Sequence, residues 1–311
     1  MKNFFKLLIN CFIFSSLSSP FTALESLAFP IYAQQNYENP REANGKIVCA
    51  NCHLAQKPVE LETPKSILPN TIFETLVKIP LKKDSKQILS NGNTGELNIG
   101  AVLILPEEFK LAPKNRLTEK LQTELKNVYI TPYSSKYENI LVVGPISAKK
   151  SNEIIFPILS PDPESNKKIH YLKYPIYVGA NRGRGQLYPN GEKTNNNVVT
   201  SSIAGKVSKI NFLEKNTEVQ ILDKNGNLVS QLIPKNIQVI VKENQAIVQD
   251  QALTINPNVG GFGQTESEIV LQNSERIYFY TVFCLLIILT QSIFVLKKKQ
   301  FEKVQLAEMD F

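Results

Sequence analysis

Side chains that bind metals or form disulfides are scarce in this sequence. Its 311 residues include four cysteines, two histidines, two methionines and no tryptophan. Cys11 and Cys284 lie in apolar stretches at the two ends, so the part between them has only Cys49 and Cys52. Two cysteines exclude a disulfide-stapled domain, and they leave a zinc site short of the four closely spaced ligands that zinc usually takes.

Strong charge of one sign and nucleotide-binding patterns are also missing. Residues 29–275 have a net charge of +4, and their lysines are scattered rather than interleaved with aromatic residues, which excludes a nucleic-acid signature. The glycines of 181–185 lack the Lys-Ser/Thr and the strand–turn–helix context of a phosphate-binding loop. The small positive bias suits the steering of an acidic protein partner at low ionic strength.

The N-terminal segment has the features of a targeting sequence. Lys2 and Lys6 give it a positive start, and the apolar stretch LLINCFIF that follows is too short to span a bilayer. The small-x-small pattern that ends at Ala28 marks a cleavage point. We therefore expect residues 1–28 to be a cleaved signal or transit segment, which makes Phe29 the first residue of the mature chain.

The C-terminal region contains an apolar run long enough to cross a membrane. Residues 277–296 are uncharged, and as a helix they would be about 30 Å long, the thickness of a hydrocarbon core. Three lysines follow immediately, so the positive-inside rule places the tail 297–311 on the cytoplasm-like side. Thr290 and Gln291 are mildly polar and could face a neighbouring helix.

Between these ends the sequence pattern is mainly that of short strands. From residue 71 onward, runs of β-branched and aromatic residues are separated by Pro, Gly, Asn and Ser. With 18 prolines and few helical stretches, they predict an all-β sandwich or barrel rather than an α/β fold. Two segments are expected to be helical, 41–54 around the cysteine pair and 115–125. The strand-like runs lie at 71–80, 97–106, 140–145, 153–158 and 169–179.

A polar segment at 190–202 indicates a boundary between two β units. We expect a large domain at 29–196 and a small β domain at 197–256, in which Lys224–Asn227 forms a hairpin turn. Residues 257–276 begin with a Gly-rich stretch and are expected to return to the large domain and lead to the membrane helix.

The sequence Cys49-Ala-Asn-Cys52-His53 is one of the few short patterns with a specific chemical meaning. On a helix the three side chains share one face. From that face the two thiols can add to the vinyl groups of a haem, and the adjacent imidazole can coordinate the haem iron. The pattern therefore predicts covalent haem attachment. A thioredoxin-type dithiol is the main alternative, but it should follow a strand in a βαβ unit, and a chance surface pair is the other.

The candidates for the second axial ligand of that haem can be reduced by elimination. Of the two methionines, Met1 leaves with the targeting segment and Met309 lies across the membrane. His170 lies in a strand-like run and is more simply a partly exposed structural histidine, and a lysine near pKa 10.4 must lose a proton to bind iron. The α-amino group of Phe29 has a reference pKa of about 7.7–8, so it ranks first, with His170 and lysine left open.

Four blocks of the sequence resemble the cytochrome f family, the c-type cytochrome subunit of the cytochrome b6-f complex of oxygenic photosynthesis. The blocks are FPIYAQQNYENPREANGKIVCANCHLAQKPVE from residue 29, ANRGRGQLYPNG at 180–191, NPNVGGFGQ at 256–264 and LKKKQFEKVQLAEMDF at 296–311. The resemblance implies an elongated all-β protein of the thylakoid lumen, with a large sandwich domain, a smaller inserted β domain and one C-terminal transmembrane helix.

The resemblance also implies a function and its partners. The protein would carry one covalent haem c, be no enzyme in itself, and pass electrons from a Rieske iron–sulfur protein to plastocyanin or a small soluble c-type cytochrome. It would assemble with cytochrome b and the other subunits of the complex, in an algal plastid or a cyanobacterial thylakoid. Two other hypotheses remain: a membrane-tethered thiol–disulfide oxidoreductase that uses Cys49 and Cys52, and a haem-bearing assembly subunit with little turnover.

Family roles carry over to named positions of this chain. The haem ligands map to His53 and the α-amino group of Phe29. The family commonly has Tyr at this second position, but the ligand is the main-chain nitrogen, so we expect Phe29 to coordinate the iron in the same way. Amides matching the family's internal water chain are Gln87, Asn181, Gln186, Asn196 and Asn258. Residues matching positions that shield the haem are Pro30, Tyr32, Pro145 and Pro189.

Partner docking is the point at which this chain departs from the family. Plant members carry a lysine pair in the loop here at 90–95, whereas this chain has Asn93 and Thr94. We therefore expect weaker electrostatic steering of an acidic partner than in plants. The lysines that remain as a possible basic patch are Lys82, Lys83, Lys86 and Lys215.

Overall fold

The computed structural model describes residues 31–82, 84–234 and 236–309. The predicted cleavage point and the predicted roles of Phe29, Pro30 and Lys83 lie outside the described residues. Sixteen strands are described: β1 Glu60–Glu62, β2 Ser66–Ile67, β3 Ile72–Lys78, β4 Lys86–Ile88, β5 Thr94–Glu96, β6 Asn98–Ile104, β7 Lys110–Leu111, β8 Ile130–Pro132, β9 Ile140–Ser147, β10 Glu153–Leu159, β11 Lys173–Arg182, β12 Gly205–Phe212, β13 Asn216–Asp223, β14 Leu228–Pro234, β15 Ala246–Ile247 and β16 Gly261–Leu271.

Most of these strands form a sandwich of two sheets, which confirms the all-β prediction. One sheet has six strands in the order β2-β16-β11-β6-β9-β8, and the other has four in the order β1-β3-β10-β7. Apolar side chains from both sheets meet between them, including Val77, Phe156, Leu103 and Ile176, all of which are fully buried. Burial of apolar surface contributes about 25 cal/mol per Å² to stability, so this layer is the main source of stability of the sandwich.

The six-stranded sheet is covered on both faces, and this determines where the functional site lies. Along β6, Ile99, Ala101 and Leu103 point into the sandwich, whereas Val102 and Ile104 belong to a second apolar cluster on the opposite face. Because both faces are buried, β6 is a continuous apolar run instead of an alternating one. The second face is covered by the segment that carries the cysteine pair.

A separate four-stranded antiparallel sheet, in the order β14-β13-β12-β15, has its own apolar cluster that includes Val207, Val219, Ile221 and Ile233. The turn between β13 and β14 is a hairpin as predicted, and Gly226 within it has a φ of +81°, which favours glycine. This sheet lies within the predicted small domain; the domain boundaries themselves stay a prediction.

The helical predictions are only partly confirmed. Residues 41–54 do not form a helix: within them only Val48–Asn51 adopts a single 3₁₀ turn, because Arg41 and Ile47 pair as an isolated β-bridge before it. In 115–125, a 3₁₀ turn at Lys114–Arg116 precedes helix α2, Glu119–Glu124, which Thr118 caps by accepting from Leu121 N. Helix α1 spans Ile31–Asn36 and helix α3 spans Ser274–Met309.

Helix α3 contains the predicted membrane span and extends beyond it at both ends. Its most apolar window has a mean hydropathy of 2.3, and no part of that window is buried against the rest of the described chain. Its length and composition therefore suit a membrane-spanning anchor.

Candidate functional site

Cys49, Cys52 and His53 converge on one cavity on the outer face of the six-stranded sheet. The 3₁₀ turn brings them together, because Cys49 O accepts hydrogen bonds from Cys52 N at 3.3 Å and from His53 N at 3.0 Å. A tight turn thus gives the shared face that a full helix was expected to provide. The cavity has a volume of about 270 Å³, and Tyr32 and Ala33 of α1 also line it.

The turn is held against the sheet by its own apolar residues and by one glutamine. Ile47 and Val48 are 1% and 2% exposed, and Ile47 packs with Val102 and Phe262. Gln264 of β16 accepts a hydrogen bond from Ile47 N at 3.0 Å and donates to Gly45 O at 3.1 Å. These contacts fix the backbone just before the cysteine pair, a role that the sequence pattern did not reveal.

Glycines allow the backbone to approach closely beneath the cavity. A Cβ on Gly179 would lie 2.7 Å from the Phe262 ring and 2.8 Å from Ile47 Cδ1. A Cβ on Gly185 would lie 3.1 Å from Cys52 O, and one on Gly100 would lie 2.9 Å from Asn181 Oδ1. Glycine at these positions therefore lets the backbone pack tightly against the residues that surround the cavity.

Burial sets the protonation states at the site. His53 is 7% exposed, and burial lowers its pKa to about 4, so the imidazole is neutral near pH 7 and one ring nitrogen has a free lone pair. Its Nε2 lies 3.0 Å from Asn181 Nδ2, while Nδ1 is buried without a partner among the described residues. Burial also raises the pKa of Cys49 to about 12 and raises that of Cys52, so both thiols stay protonated.

Tyr133 ties helix α1 to the sheet beside the cavity. Tyr133 is 3% exposed, and its hydroxyl lies 2.7 Å from Ala33 O, within α1, and 2.6 Å from Tyr37 O, just after α1. Gln34 Nε2 donates in turn to Tyr133 O at 2.8 Å. The start of the described chain is thus positioned over the cysteine turn by side-chain contacts rather than by a β-ladder.

Removing that hydroxyl should loosen α1. We expect Tyr133→Phe to lower the free energy of unfolding by about 0.5–1.5 kcal/mol, because it removes the hydrogen bond of the hydroxyl to these half-buried carbonyls. Denaturant unfolding of the detergent-solubilised chain measures the change. Tyr129→Phe is the matched control: Tyr129 is 83% exposed, so its effect should stay within about 0.5 kcal/mol. Equal effects of the two variants would contradict the anchoring role of Tyr133.

The predicted amides form a connected polar cluster that begins at His53. Asn181 contacts the imidazole, and Gln186 accepts from Leu54 N at 2.9 Å. Gln186 and Asn196 both donate to Arg184 O, at 3.3 Å and 2.9 Å. Sequence reasoning did not single out Arg184, which lines the cavity and is buried.

The same cluster extends away from the cavity. Asn196 Nδ2 lies 3.2 Å from Asn258 Oδ1, and Gln87 Nε2 donates to Glu96 O at 2.7 Å. Asn196 and Gln87 are only 1% and 2% exposed, yet Asn196 Oδ1 and Gln87 Oε1 have no partner among the described residues. Four of the predicted amides therefore lie in one polar region, and Gln87 lies beside it, because Arg184 Nη1 donates to Ile88 O, next to Gln87, at 2.9 Å.

Of the other predicted residues, some line the cavity and some do not. Tyr32 and Pro189 line the cavity, whereas Pro145 lies in β9 and is absent from its lining. His170 is exposed, lies before β11 begins at Lys173, and does not line the cavity. The structure thus brings one of the two histidines to the cysteine pair.

The basic surface is wider than the sequence suggested. Lys82 and Lys86 are exposed and line one groove, which Lys149 and Lys150 also line. Lys149 pairs with Glu96 in this groove. The additional lysines are far from Lys82 in sequence, so only strand pairing across the sheet could reveal them.

Comparisons with family models and with individual known proteins agree on one family. The family description "Apocytochrome F, N-terminal" matches residues 29–183, and "Apocytochrome F, C-terminal" matches residues 195–311. Cytochrome f of Porphyra purpurea is 60% identical over 287 residues, covering 92% of this chain and 90% of the relative. Cytochrome f of Gracilaria tenuistipitata var. liui is 58% identical over 289 residues, and that of Chlorella vulgaris is 52% identical over 315 residues and the full length of both.

A β protein with a membrane-spanning helix and a buried Cys-x-x-Cys-His turn belongs to the class of membrane-anchored c-type cytochromes. Within that class, the chain belongs to the cytochrome f family, which confirms the resemblance seen in the four sequence blocks. It is thus a haem protein of photosynthetic electron transport, a subunit of the cytochrome b6-f complex and a protein of the plastid thylakoid membrane.

Proposed function

We propose that the chain binds one haem covalently through thioethers from Cys49 and Cys52, with His53 and the α-amino group of Phe29 as the axial ligands. The observation that carries this proposal is the convergence of two thiols and a neutral, buried imidazole on one cavity. His53 Nδ1, which is buried without a partner among the described residues, and the cavity of about 270 Å³ that Gly179 and Gly185 help to line fit a large planar group there. The bound haem would supply one-electron redox chemistry.

Helix α1 supports the role of Phe29. Tyr32 and Ala33 line the same cavity as His53. Phe29 precedes Tyr32 by three residues, a reach of about 10 Å in an extended chain. The family match begins at residue 29, which agrees with cleavage after Ala28. A terminal amine at this position needs less deprotonation than a lysine to bind a metal.

The thiol–disulfide oxidoreductase alternative is less well supported. Reactive cysteines in such enzymes have lowered pKa values because the thiolate is the nucleophile. Here burial raises the pKa of Cys49 to about 12 and also raises that of Cys52. The pair also lies at a 3₁₀ turn, and no βαβ unit surrounds it in the part of the chain that the structure describes. Attachment of a haem uses both sulfurs and leaves no dithiol for exchange.

The protein part would tune and insulate the haem. We propose that Tyr32, Pro189, Pro30 and Pro145 limit the access of water, which raises the potential of a haem. The buried oxygens of Asn196 and Gln87 can be satisfied by bound water, since they need a partner and lie in a polar region. We therefore propose a water chain along the five amides; its residues are Gln87, Asn181, Gln186, Asn196 and Asn258.

We propose that the haem accepts electrons from a Rieske iron–sulfur protein and donates them to plastocyanin or a small soluble c-type cytochrome. The protein would be an electron carrier rather than an enzyme in itself. The lysines after residue 296 favour an orientation with the globular part in the lumen. That part would consist of a large domain at 29–196 and 257–276 and a small domain at 197–256, and cytochrome b would be another partner in the complex.

Lys82, Lys86 and Lys215 are exposed, and local contacts relate Lys215 to the hairpin of Lys86. Asn216, next to Lys215, pairs with Pro234, and Asn236 donates to Gly92 O at 2.6 Å in the loop between β4 and β5. Lys215 is therefore at the end of the small sheet that meets the hairpin carrying Lys86. We propose that Lys82, Lys83, Lys86 and Lys215 steer the carrier.

Stopped-flow oxidation of the reduced chain by an acidic soluble carrier tests this function. We expect Lys86→Gln combined with Lys215→Gln to slow association several-fold at low ionic strength and to flatten its salt dependence. Lys224→Gln is the matched control, since Lys224 lies at the other end of β13, about 27 Å away along the strand. Equal rates for all variants would refute steering, and no oxidation of the wild-type chain would refute the electron-carrier function.

A further inference from the structure

Between Thr281 and Leu296, the membrane helix carries one amide side chain, Gln291, and its hydrogen bonds are not satisfied within the helix. The hydroxyls of Thr281, Thr290 and Ser292 donate to the carbonyls of the residues four positions earlier, at 2.9 Å, 2.7 Å and 2.8 Å. The Gln291 amide has no hydrogen-bond partner among the described residues, and the side chain is exposed. Hydroxyls that bond back in this way are compatible with lipid, whereas a free amide is costly there.

Gln291 lies too deep to reach water. It precedes Lys297 by six residues, which places it about 9 Å inside the basic end of the helix, and a glutamine side chain is too short to cover that distance. The residues between them are apolar apart from Ser292. Its donor and acceptor groups therefore need a partner within the hydrocarbon layer.

The face that carries Gln291 is otherwise without hydrogen-bonding side chains. Cys284 is seven residues earlier, about two turns, so its small side chain lies almost directly below Gln291 on the same face. Ile287 and Val295 lie four residues on either side and complete an apolar stripe. Leu289 and Ile293 lie on the opposite face of the helix and provide no polar group.

We propose that the stripe Cys284–Ile287–Gln291–Val295 is the contact surface for a transmembrane helix of another subunit of the complex, which presents a hydrogen-bonding group to the Gln291 amide. Family membership places this chain in a multi-subunit membrane complex, and α3 packs against no other part of the described chain. A second copy of this chain is disfavoured, because α3 has no glycine and no small-xxx-small pattern along this stripe.

The proposal goes beyond the haem function and is tested without measuring electron transfer. Thylakoids carrying Gln291→Leu, Thr290→Val or the wild-type chain are solubilised in a mild detergent, and the haem-bearing chain is partitioned between intact complex and free fractions. We expect Gln291→Leu to lower the bound-to-free ratio about 3- to 20-fold, which corresponds to the 0.6–1.7 kcal/mol of polar contacts between membrane helices. Thr290→Val should match the wild type, because its hydroxyl is satisfied internally.

Cross-linking keeps the proposal testable where Gln291→Leu fails to assemble. A photoreactive side chain is placed at Ile287, with Gln291 retained, and in a parallel variant at Leu289 on the opposite face. We expect the Ile287 variant to yield a cross-link to one other subunit, in clear excess over the Leu289 variant. Equal cross-links from both faces, a cross-link to a second copy of this chain, or wild-type retention of Gln291→Leu would each overturn the proposal.

Discussion

Replacing Cys49 and Cys52 together by alanine is expected to abolish covalent haem attachment, from one haem per chain to none. Both thiols line the cavity and stay protonated because burial raises their pKa values, so each is available as the S–H that adds across a vinyl group. The single variants should each keep one thioether. Mass spectrometry of the denatured chain distinguishes the three outcomes.

Cys284→Ala is the control for these variants. Cys284 lies in the membrane helix, far in sequence from the cysteine turn, so its loss should leave haem attachment unchanged. If the double variant retained haem through acid treatment, attachment would have to use other residues and the proposed thioethers would be excluded. Unchanged stoichiometry in the single variants together with loss in the double variant would show that one thioether suffices.

Replacing His53 by alanine is expected to keep the haem attached but to remove one axial ligand. The imidazole is buried and neutral at the pH of the experiment, so iron binding does not have to compete with a proton there. Since axial ligands set haem potentials over a range of about 0.8 V, we expect a shift of more than about 100 mV and a change from a six-coordinate to a five-coordinate optical spectrum.

The sequence provides the matched control for this change. His170 is exposed and does not line the cavity, so His170→Ala should leave both the potential and the spectrum unchanged. A potentiometric titration with optical detection measures both variants. If His170→Ala changed the coordination and His53→Ala did not, the two histidines would have been assigned the wrong roles.

The fold class could be predicted because strand signals are local. β3 and β6 lie within the predicted runs, β9 and β10 begin where their runs begin and extend one or two residues further, and the Lys224–Asn227 turn forms the expected hairpin. What the sequence does not show is that the six-stranded sheet is buried on both faces. A continuous apolar run such as β6 has the same sequence pattern whatever packs on its two faces. The cavity on the outer face of the sheet can therefore be located only in the structure.

The helix expected at 41–54 was wrong for a related reason. The i, i+3, i+4 spacing of the Cys-x-x-Cys-His motif needs only one turn, and a single 3₁₀ turn supplies it. The rest of that segment is fixed by long-range contacts, such as Gln264 on Ile47 N and Gly45 O. Tertiary contacts of this kind have no local signature in the sequence.

Site residues were predictable where chemistry restricts the residue type. A thiol pair with an adjacent imidazole has few meanings, and all three side chains meet at one cavity. Surface residues carry no such restriction: Lys149 and Lys150 join the groove of Lys82 only through strand pairing and were not predicted. The amide cluster was found through family resemblance, because isolated amides look like ordinary turn residues.

The central claim is that one mature chain, beginning at Phe29, carries one covalent haem on Cys49 and Cys52. The most direct test is the intact mass of the purified chain after acid–acetone extraction, which strips haem that is not covalently bound. The account predicts the mass of residues 29–311 plus one haem. A mass without haem would contradict the account, and a haem-bearing chain that begins elsewhere would exclude the Phe29 amine as the axial ligand.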